Sequence, residues 1–512
     1  MLLRTQFESG VTKNNMENTE KIRIVAATGI PMLDNELSEQ NELAATKCVL
    51  KGELEETIKE NSPQIVIVSD KLSGEESIIK LLIKLKNQYH MVRFIYLAGN
   101  VDTKDRSRVD SLGMLVLVGV YDIVISQKIN IDLVMDTIKY PKSEQAVAFL
   151  TQNLLNAKYE ISNVFNGLEY ESYDDSNADS ACFPNVYVVT SVKPGTGKSF
   201  LSVNLACAIA KYGKIPQTGA RPKVALVEAD MQTLSIGTLL SIDEDGGSLK
   251  AAMEAVSTIF QNNVLTDNME KRKRVNRIIR RSMNTYKELA NLDVLVGSSI
   301  TPEEIDHLAI IPEYFTYILD ELRKDYDYVV VDTNSSIFHV SSFPILQRAK
   351  ECFYVLNLDF NNVRNNLRYK NVLKELGISD KVKYILNENI ENTKEFWEQG
   401  VEDEELNFTA EDIENKYFTL VAKVPILPKT VFLNRLYEGT PVVLDSNKKE
   451  VTNKAKLEIM KIANSICPMD DEMTKLEKII VDRENGKKGF FSKLFEKKEK
   501  SKEKKETESD DE

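Results

Sequence analysis

Short apolar runs alternate with helical patterns through the first part of the chain. Each run has the length of a β-strand, and the segments between them have the apolar spacing of helices. Such alternation is typical of a parallel sheet with helices on both faces. The pattern predicts an α/β domain over residues 21–142, after a flexible N-terminus of residues 1–20. The predicted strands are Ile22 to Ala26, Cys48 to Leu50, Ile65 to Val68, Val92 to Leu97 and Val120 to Ile125.

The alternation is interrupted before it resumes in a second, larger region. A helical pattern runs from Ser143 to Phe165, and Glu169 to Ala181 is then polar, acidic and without periodicity. These features are typical of an exposed linker. We therefore expect a helix and linker over residues 143–183, a second α/β domain with a mainly parallel sheet over residues 184–468, and a tail over residues 469–512.

The composition narrows the class of protein. At 512 residues the chain exceeds what one core normally holds, and its net charge of −13 argues against a surface that binds nucleic acid throughout. The cysteines are widely spaced and there are only three histidines, so we expect neither disulfides nor a zinc or His-based metal site. Without a signal sequence or a membrane-spanning apolar run, a cytoplasmic protein is expected.

Candidate chemistry begins where the predicted strand Val186 to Val189 ends. The sequence continues S-V-K-P-G-T-G-K-S, and an apolar helical pattern follows. Glycines allow backbone N–H groups to close around phosphate oxygens, and the N-terminus of a helix attracts anions. Lys198 would reach the β- and γ-phosphates, and Ser199 would ligate Mg²⁺. The stretch predicts a loop that binds ATP and Mg²⁺ through Lys193, Pro194, Gly195, Thr196, Gly197, Lys198, Ser199 and Phe200.

The lysine in front of this loop indicates a more particular type. The run K-P-G-T-G-K-S resembles K-G-G-x-G-K-[ST], the deviant Walker A motif of the MinD/ParA family of dimerising ATPases. Pro194 stands where the family has glycine, and Val192 stands where an ordinary phosphate-binding loop has its first glycine. In that family the first lysine reaches the nucleotide of the partner subunit. The resemblance implies that Lys193 is catalytic in a homodimer formed on ATP.

Two later strands end in acids. The strand Val224 to Glu228 is followed by Asp230, where the family places an acid that positions the attacking water. The alternative for an acid at a strand end is a cap on the next helix. The stretch Asp325 to Thr333 resembles a Walker B strand, which implies that Asp332 holds Mg²⁺ beside Ser199. After Thr333 the chain departs from the family's P-[PA]-G, and it reads N-S-S.

Three further features extend the resemblance to about Cys467. Asn387 follows the strand Lys383 to Leu386, where the family has an asparagine that contacts adenine. Pro425 lies in a V-P-I segment that resembles the one beside the base. The stretch E-G-T-P-V-V-L after Tyr437 also matches the family's sequence before its last helix.

The N-terminal domain resembles the receiver domain of response regulators. Receivers have an acidic pair after the first strand, whereas Ala27, Thr28 and Gly29 follow it here. Without that pair no Mg²⁺ site supports phosphoryl transfer. We therefore interpret the domain as a flavodoxin-like, degenerate receiver used for docking or dimerisation, and Asp70 as a helix cap.

A receiver-like domain in front of such an ATPase is the domain order of the CpaE/TadZ subgroup. Those proteins place pilus secretion machinery at particular sites on the cell envelope. The segment Leu292 to Thr301, followed by P-E-E, also resembles that subgroup. The resemblance implies a partner in the envelope machinery.

The tail carries a pattern of its own. A helix over residues 487–498 would have one apolar face flanked by lysines, as interfacial helices on anionic membranes do. It is similar to the C-terminal membrane-targeting helix of MinD, which implies peripheral attachment to the inner face of the cell membrane. The alternative is a helix that packs on its own ATPase domain or on a protein partner. The face would consist of Phe490, Phe491, Leu494 and Phe495.

A second basic segment, Lys271 to Arg281, leaves two interpretations open. One is a solvated helix that docks on the core through Val275, Ile278 and Ile279. The other is a surface for DNA or another anionic partner. The first interpretation is favoured, and nucleic acid is kept as a possible but not favoured partner.

The leading hypothesis is an ATP-dependent dimerisation switch that positions a cell-envelope assembly. One alternative is the bacterial tyrosine kinase with the same fold and a similar loop, although such kinases carry a C-terminal tyrosine cluster and this chain has no tyrosine after Tyr437. Another is a scaffold that binds nucleotide with little turnover.

Overall fold

The computed structural model describes residues 21–151, 182–231, 234–243, 247–298, 308, 310–337, 339–390, 408–446 and 450–483. Several expectations lie outside these residues: the flexible N-terminus, the acidic linker, the P-E-E segment and the helix at 487–498.

The N-terminal domain contains a five-stranded parallel sheet in the order β2-β1-β3-β4-β5. This order is the one found in doubly wound sheets of the flavodoxin type. Neighbouring residues of β1 belong to different apolar clusters, Ile24 to one and Val25 to the other, so both faces of the sheet are covered. The strands are β1 (Ile22–Ala27), β2 (Leu43–Lys47), β3 (Ile65–Ser69), β4 (Arg93–Gly99) and β5 (Asp122–Ile125), and the helices are α1 (Pro31–Glu39), α2 (Leu54–Asn61), α3 (Ile78–Gln88), α4 (Arg106–Leu117), α5 (Ile131–Lys139) and α6 (Glu144–Val147), with 3₁₀ turns at Lys51–Glu53 and Ala148–Leu150.

The second strand lies earlier than the sequence predicts. The pattern placed it at Cys48 to Leu50, but β2 is the edge strand L-A-A-T-K, in which only Leu43 is fully buried. A half-exposed edge strand has a weak apolar signal, and this is why the more apolar residues after it were mistaken for the strand. Leu50 forms an isolated bridge with Ser73 instead.

The second region forms an eight-stranded sheet in the order β10-β11-β7-β12-β6-β13-β14-β15. All strand pairs in this sheet are parallel except β10 with β11. The strands are β6 (Phe183–Thr190), β7 (Val224–Glu228), β10 (Asn284–Thr285), β11 (Leu292–Leu295), β12 (Tyr328–Asp332), β13 (Ala349–Leu356), β14 (Val382–Asn389) and β15 (Leu420–Pro425), while β8 (Phe260–Gln261) and β9 (Val264–Leu265) form a separate hairpin.

Helices cover both faces of this sheet. One face packs against α7 and α16, and the other forms a cluster continuous with the N-terminal domain. The helices are α7 (Lys198–Tyr212), α8 (Ile236–Leu240), α9 (Leu249–Ser257), α10 (Met269–Arg281), α11 (Pro312–Leu322), α12 (Ser342–Arg348), α13 (Phe360–Glu375), α14 (Ala410–Lys416), α15 (Lys429–Glu438), α16 (Glu450–Asn464) and a last helix, α17, at residues 471–483, with 3₁₀ turns at Ser379–Lys381 and Val442–Leu444. Among the described helices, none is both long and apolar enough to span a bilayer.

The central strands show why this sheet positions a site. Every residue of β7 is buried, as expected for a parallel strand covered on both faces. Strand β6 lies between β12 and β13, and the chain passes from β12 on one side of it to β13 on the other. Ligands of open α/β sheets bind at the carboxyl ends of strands where the strand order reverses in this way. The segment after β6 is therefore at the topological binding position.

Buried polar contacts join the two domains. The Lys86 ammonium of α3 lies 2.5 Å from a carboxylate oxygen of Glu313 in α11, and it also donates to the carbonyls of His90 and Val92. The tip of the β8–β9 hairpin adds a second contact, because the Asn262 carbonyl accepts a hydrogen bond from Arg93. The Lys86–Glu313 pair is thus buried between the domains, and the Arg93–Asn262 contact lies nearer the surface.

The basic segment forms α10, and its docking matches only part of the sequence interpretation. Val275 and Ile279 are buried, as predicted. Ile278 is 42% exposed, so the prediction that it docks on the core was wrong. Helix α10 packs against α9 and α11. Val275 and Ile279 lie on its buried side, and Ile278 lies outside that side.

We predict that Glu313→Ala destabilises the protein by roughly 2–4 kcal/mol, because it leaves the buried Lys86 ammonium without its counter-charge. The midpoint of urea denaturation would measure the loss. Glu270→Ala is the matched control, since it removes an exposed partner of Lys273 and should leave the midpoint unchanged. Equal midpoints for Glu313→Ala and the wild type would contradict a stabilising role for the pair.

Candidate nucleotide-binding site

The loop between β6 and α7 has the backbone of a phosphate-binding loop. Gly195 and Gly197 have φ angles of 78° and 89°, which place both in the left-handed region. A Cβ atom on Gly197 would lie 2.2 Å from the amide nitrogen of Asn387. Glycine is therefore required at 197 both for the backbone conformation and for the space. Helix α7 begins directly after Gly197, at Lys198.

The carboxylate of Asp332 is the buried centre of the site. It ends β12, which pairs with β6, and it accepts hydrogen bonds from Ser199 Oγ at 2.6 Å and Ser202 Oγ at 3.0 Å. Complete burial raises the pKa of Asp332 to about 7, although the Ser199 hydroxyl and the nearby Lys198 oppose the shift. The structure thus brings the predicted Walker B acid directly onto the predicted Mg²⁺-ligating serine.

Lys198 lies inside the loop and already has a partner. Its ammonium, in a side chain that is almost fully buried, donates to Ser335 Oγ at 2.7 Å. Sequence reasoning noted Ser335 only as a departure from the family pattern. Its position three residues after the Walker B acid was the signal that could have placed it beside the loop.

The residues present fit a nucleoside triphosphate with Mg²⁺. Within the described chain, the buried Thr196 Oγ1 has no hydrogen-bond partner, and it lies in the loop that would surround phosphate oxygens. Ser199 and Asp332 offer the oxygen ligands that Mg²⁺ prefers. No cluster of three or more His, Cys, Asp or Glu among the described residues could hold a metal by itself. Mg²⁺ sites completed by substrate phosphates and water do not need one.

Glu228 ends β7 and Asp230 follows it, and these two acids have separate roles. Glu228 accepts hydrogen bonds from the backbone N–H groups of Ser235, Ile236 and Gly297, so it is Glu228 that caps α8. Burial raises the pKa of Glu228, and these three donors oppose the shift. Asp230 instead accepts a hydrogen bond from the side-chain amide of Asn334 at 3.0 Å, and it lies beside the Walker B strand. Its role toward the attacking water stays a prediction.

Lys193 lies at the mouth of the loop. Its ammonium pairs with the carboxylate of Asp359, and the lysine side chain is 44% exposed. This hydrogen bond lowers the pKa of Asp359. Sequence reasoning missed Asp359, although an acid just beyond the end of a neighbouring strand is a detectable signal. In this state the lysine is held within its own chain, and its reach to a partner subunit stays a prediction.

Asn387, Pro425 and Phe200, which were predicted to bind the nucleotide, lie at different positions around the loop. Asn387 is buried, and its amide donates to the Thr196 carbonyl at 2.9 Å, so it supports the loop. Pro425 ends β15 and pairs in register with Asn389 of β14. Phe200, which was predicted as the last residue of the ATP-binding loop, is partly buried in the first turn of α7 and packs on the apolar cluster. Contact of Asn387 and Pro425 with adenine, and of Phe200 with ATP, stays a prediction.

The N-terminal domain offers no comparable site. Asp70 was expected to cap a helix, but its carboxylate instead contacts the Tyr96 hydroxyl and pairs with Arg108. The prediction was wrong because the following turn places the side chain over β4, where these two groups compete for it. Thr28, where a receiver has an acid, donates to Asp34 at 2.7 Å.

The sheet, the glycine loop and the paired Ser199 and Asp332 define a P-loop nucleotide-binding domain. A family model described as "AAA domain" matches residues 185–360. The septum site-determining protein MinD of Thermotoga maritima is 25% identical over 315 residues, which cover 60% of this chain and 98% of MinD. These matches and the site geometry agree on a P-loop nucleotide-binding domain that is similar to MinD.

Two other similarities were found. The putative tyrosine-protein kinase CapB of Staphylococcus aureus is 25% identical over 221 residues, which cover 43% of this chain and 81% of the kinase. MinD of Pyrococcus horikoshii OT3, solved in complex with Mg-ADP, has 17% identity and a TM-score of 0.39, and the alignment covers 55% of this chain and 95% of that one.

We predict that Asp332→Asn stabilises the nucleotide-free, Mg²⁺-free protein near pH 8. The pKa of Asp332 is about 7 in the folded protein, whereas the ordinary value is 3.8. The protein therefore has its full stability below pH 3.8, and it loses part of that stability as the pH rises through about 7. The substitution removes that loss and should raise the free energy of unfolding at pH 8 by roughly 1–3 kcal/mol.

Urea denaturation in EDTA between about pH 5.5 and 8.5 measures this effect, and the gain should shrink toward the acidic end. The exposed Asp136→Asn is the matched control and should show no such trend. A gain for Asp332→Asn that is the same at every pH would argue against the raised pKa.

Proposed function

We propose that this protein is a Mg²⁺-dependent ATPase switch that dimerises on ATP, attaches to the cytoplasmic face of the cell membrane and positions a CpaE/TadZ-like envelope assembly. The observation that carries the proposal is the hydrogen-bonded Ser199–Asp332 pair beneath a loop whose mouth holds a second lysine, Lys193. The similarity to MinD supports the same class.

The chemistry would proceed between fixed side chains. The loop N–H groups and Lys198 would hold the phosphates, and Ser199 with ionised Asp332 would hold Mg²⁺. Mg²⁺, when bound, neutralises charge on the β- and γ-phosphates. Asp230 orients a water whose oxygen bonds to the γ-phosphorus. The bond to the β,γ-bridging oxygen breaks with its electrons left on ADP, and one water proton passes to the released phosphate.

Dimerisation would depend on the exposed lysine. Two triphosphates that face each other across an interface repel, and a cation from each partner offsets that repulsion. Lys193 is half-exposed, and in the described part of the chain its ammonium pairs with the partly exposed carboxylate of Asp359, so it can exchange that partner at small cost.

Two other functions have specific support. The similarity to CapB favours a tyrosine kinase, against which stands the absence of tyrosine after Tyr437. Pro194 and the N-S-S sequence after Thr333 favour a scaffold that binds nucleotide with little turnover. Phosphate release assayed beside nucleotide binding, with detection of phosphotyrosine in the same reaction, separates the three.

Membrane attachment is proposed from the sequence of residues 487–498, which lie outside the described structure. Four large apolar side chains could each contribute about 1.5 kcal/mol at a bilayer, and ordering the segment offsets much of this total. One copy would bind weakly, and two copies on an ATP dimer would bind roughly a hundredfold more tightly through effective concentration. Nucleotide state would therefore control membrane residence.

We predict that Lys193→Ala weakens the ATP-bound dimer at least tenfold and changes ATP binding to the monomer by less than about threefold, because the lysine acts across the interface. Light scattering in ATP and ADP measures the first quantity, and a fluorescent ATP analogue measures the second. Lys211→Ala, an exposed change at the far end of α7, is the control. The same oligomer with and without ATP, in both wild type and variant, would rule out the dimer.

We predict that the full chain sediments with anionic vesicles in ATP, less so in ADP, and that a chain ending at Glu484 does not sediment in either nucleotide. Vesicles of zwitterionic lipid are the control and should retain little protein. If the shortened chain sediments as well as the full chain in ATP, the tail has no part in attachment. Equal sedimentation of the full chain in both nucleotides would indicate an anchor without a switch.

A further inference from the structure

Asn334 is the residue through which the loop after β12 reaches Asp230. Its side-chain nitrogen donates to Asp230 Oδ1 at 3.0 Å, and the two residues are 8% and 4% exposed. A buried hydrogen bond to a carboxylate strongly restricts the orientation of both groups. The MinD/ParA family has proline at this position. A proline side chain has no hydrogen-bond donor, so it could not make this contact.

The orientation of the amide is determined by its other end. The backbone N–H of Ser336 donates to Asn334 Oδ1 at 2.8 Å, so the oxygen is the acceptor and the nitrogen must face Asp230. The Asn334 carbonyl in turn accepts from Ser342 Oγ at 3.2 Å, at the start of α12. Asn334 is therefore held both through its side-chain amide and through its backbone carbonyl.

The other side of the contact is equally well held. The Ala229 N–H, next to Asp230, donates to the Asp332 carbonyl at 2.8 Å, and the Ala229 carbonyl accepts from Ser341 Oγ at 3.0 Å. These bonds join the carboxyl ends of β7 and β12. Asn334 completes the connection by fixing the carboxylate itself.

We propose that Asn334 is a positioning residue that orients the Asp230 carboxylate toward the attacking water. The inference rests on the proposed ATPase function and identifies how this chain supplies, with a residue outside the family pattern, the alignment that hydrolysis requires. The hydrogen bond from the amide restricts how the carboxylate can turn, and it therefore fixes the direction in which Asp230 can contact a water. Precise alignment of this kind affects the reaction rate more than substrate binding.

The test is a double-substitution cycle with Asn334→Ala, Asp230→Ala and the combination. Asn334→Ala should slow single-turnover ATP hydrolysis roughly tenfold to a hundredfold while ATP affinity changes by less than about threefold. In the Asp230→Ala background the same substitution should have no further effect, because it acts through that carboxylate. A further loss in that background, or hydrolysis within twofold of the wild type for Asn334→Ala, would overturn the inference.

A second readout uses the nucleotide-free protein. Asn334→Asp keeps the shape but replaces the donor with a second carboxylate, and it should lower the melting temperature by about 2–4 °C only when Asp230 is present. Asn371→Asp, the same change at an exposed position of α13, is the control and should leave it unchanged. An equal shift with and without Asp230 would show that the two groups do not interact.

The outcomes separate this inference from the function on which it rests. Normal turnover in the wild type together with an unaffected Asn334→Ala overturns the positioning role alone. Absence of turnover in the wild type over several hours, with ATP bound, overturns the ATPase proposal and the positioning role with it.

Discussion

The buried carboxylate of Asp332 is the constraint on which the arrangement of the site depends. Its side chain is fully buried at the end of β12, and among the described residues the hydroxyls of Ser199 and Ser202 donate hydrogen bonds to it. Burying such a group costs free energy that an apolar residue would not. Those two hydroxyls lie on α7, so the same contacts also fix the helix that follows the phosphate-binding loop. The site is therefore costly without a ligand and complementary to a cation.

The loop after β12 connects this centre to its surroundings in two directions. Toward the nucleotide side, Ser335 accepts from Lys198 and Asn334 donates to Asp230. Away from it, Ile337 is buried in the apolar cluster that includes the N-terminal domain. The residues that depart from the family pattern are therefore integrated into the packing. Their replacement by proline and glycine would remove the donor and acceptor that hold two charged groups of the site.

Packing between the domains makes the N-terminal domain a structural support for the nucleotide-binding domain. Lys86 and Glu313 are buried as a pair, and the guanidinium of Arg348 at the end of α12 contacts the Asn87 carbonyl. Helix α12 begins directly after the loop that holds Asn334 and Ser335. The domain that resembles a receiver thus contacts the helix that follows this loop, while its own Asp70 is neutralised by Arg108.

The sequence by itself determined the elements whose chemistry is local. The run of apolar residues at Val224 to Glu228 predicted β7 with its observed bounds, and the glycines at 195 and 197 predicted a loop after β6, where both have left-handed backbones. It did not determine β2, because an edge strand with one buried residue lacks a clear period. The resemblance implied that Ser199 and Asp332 meet, but only the tertiary structure decided three other polar contacts of the site. Asp359 is 166 positions from Lys193, Ser335 is 137 from Lys198, and Asn387 is 191 from Thr196. Such contacts follow from the order of parallel strands, which brings their carboxyl ends to one edge of the sheet and leaves no periodic trace in the chain.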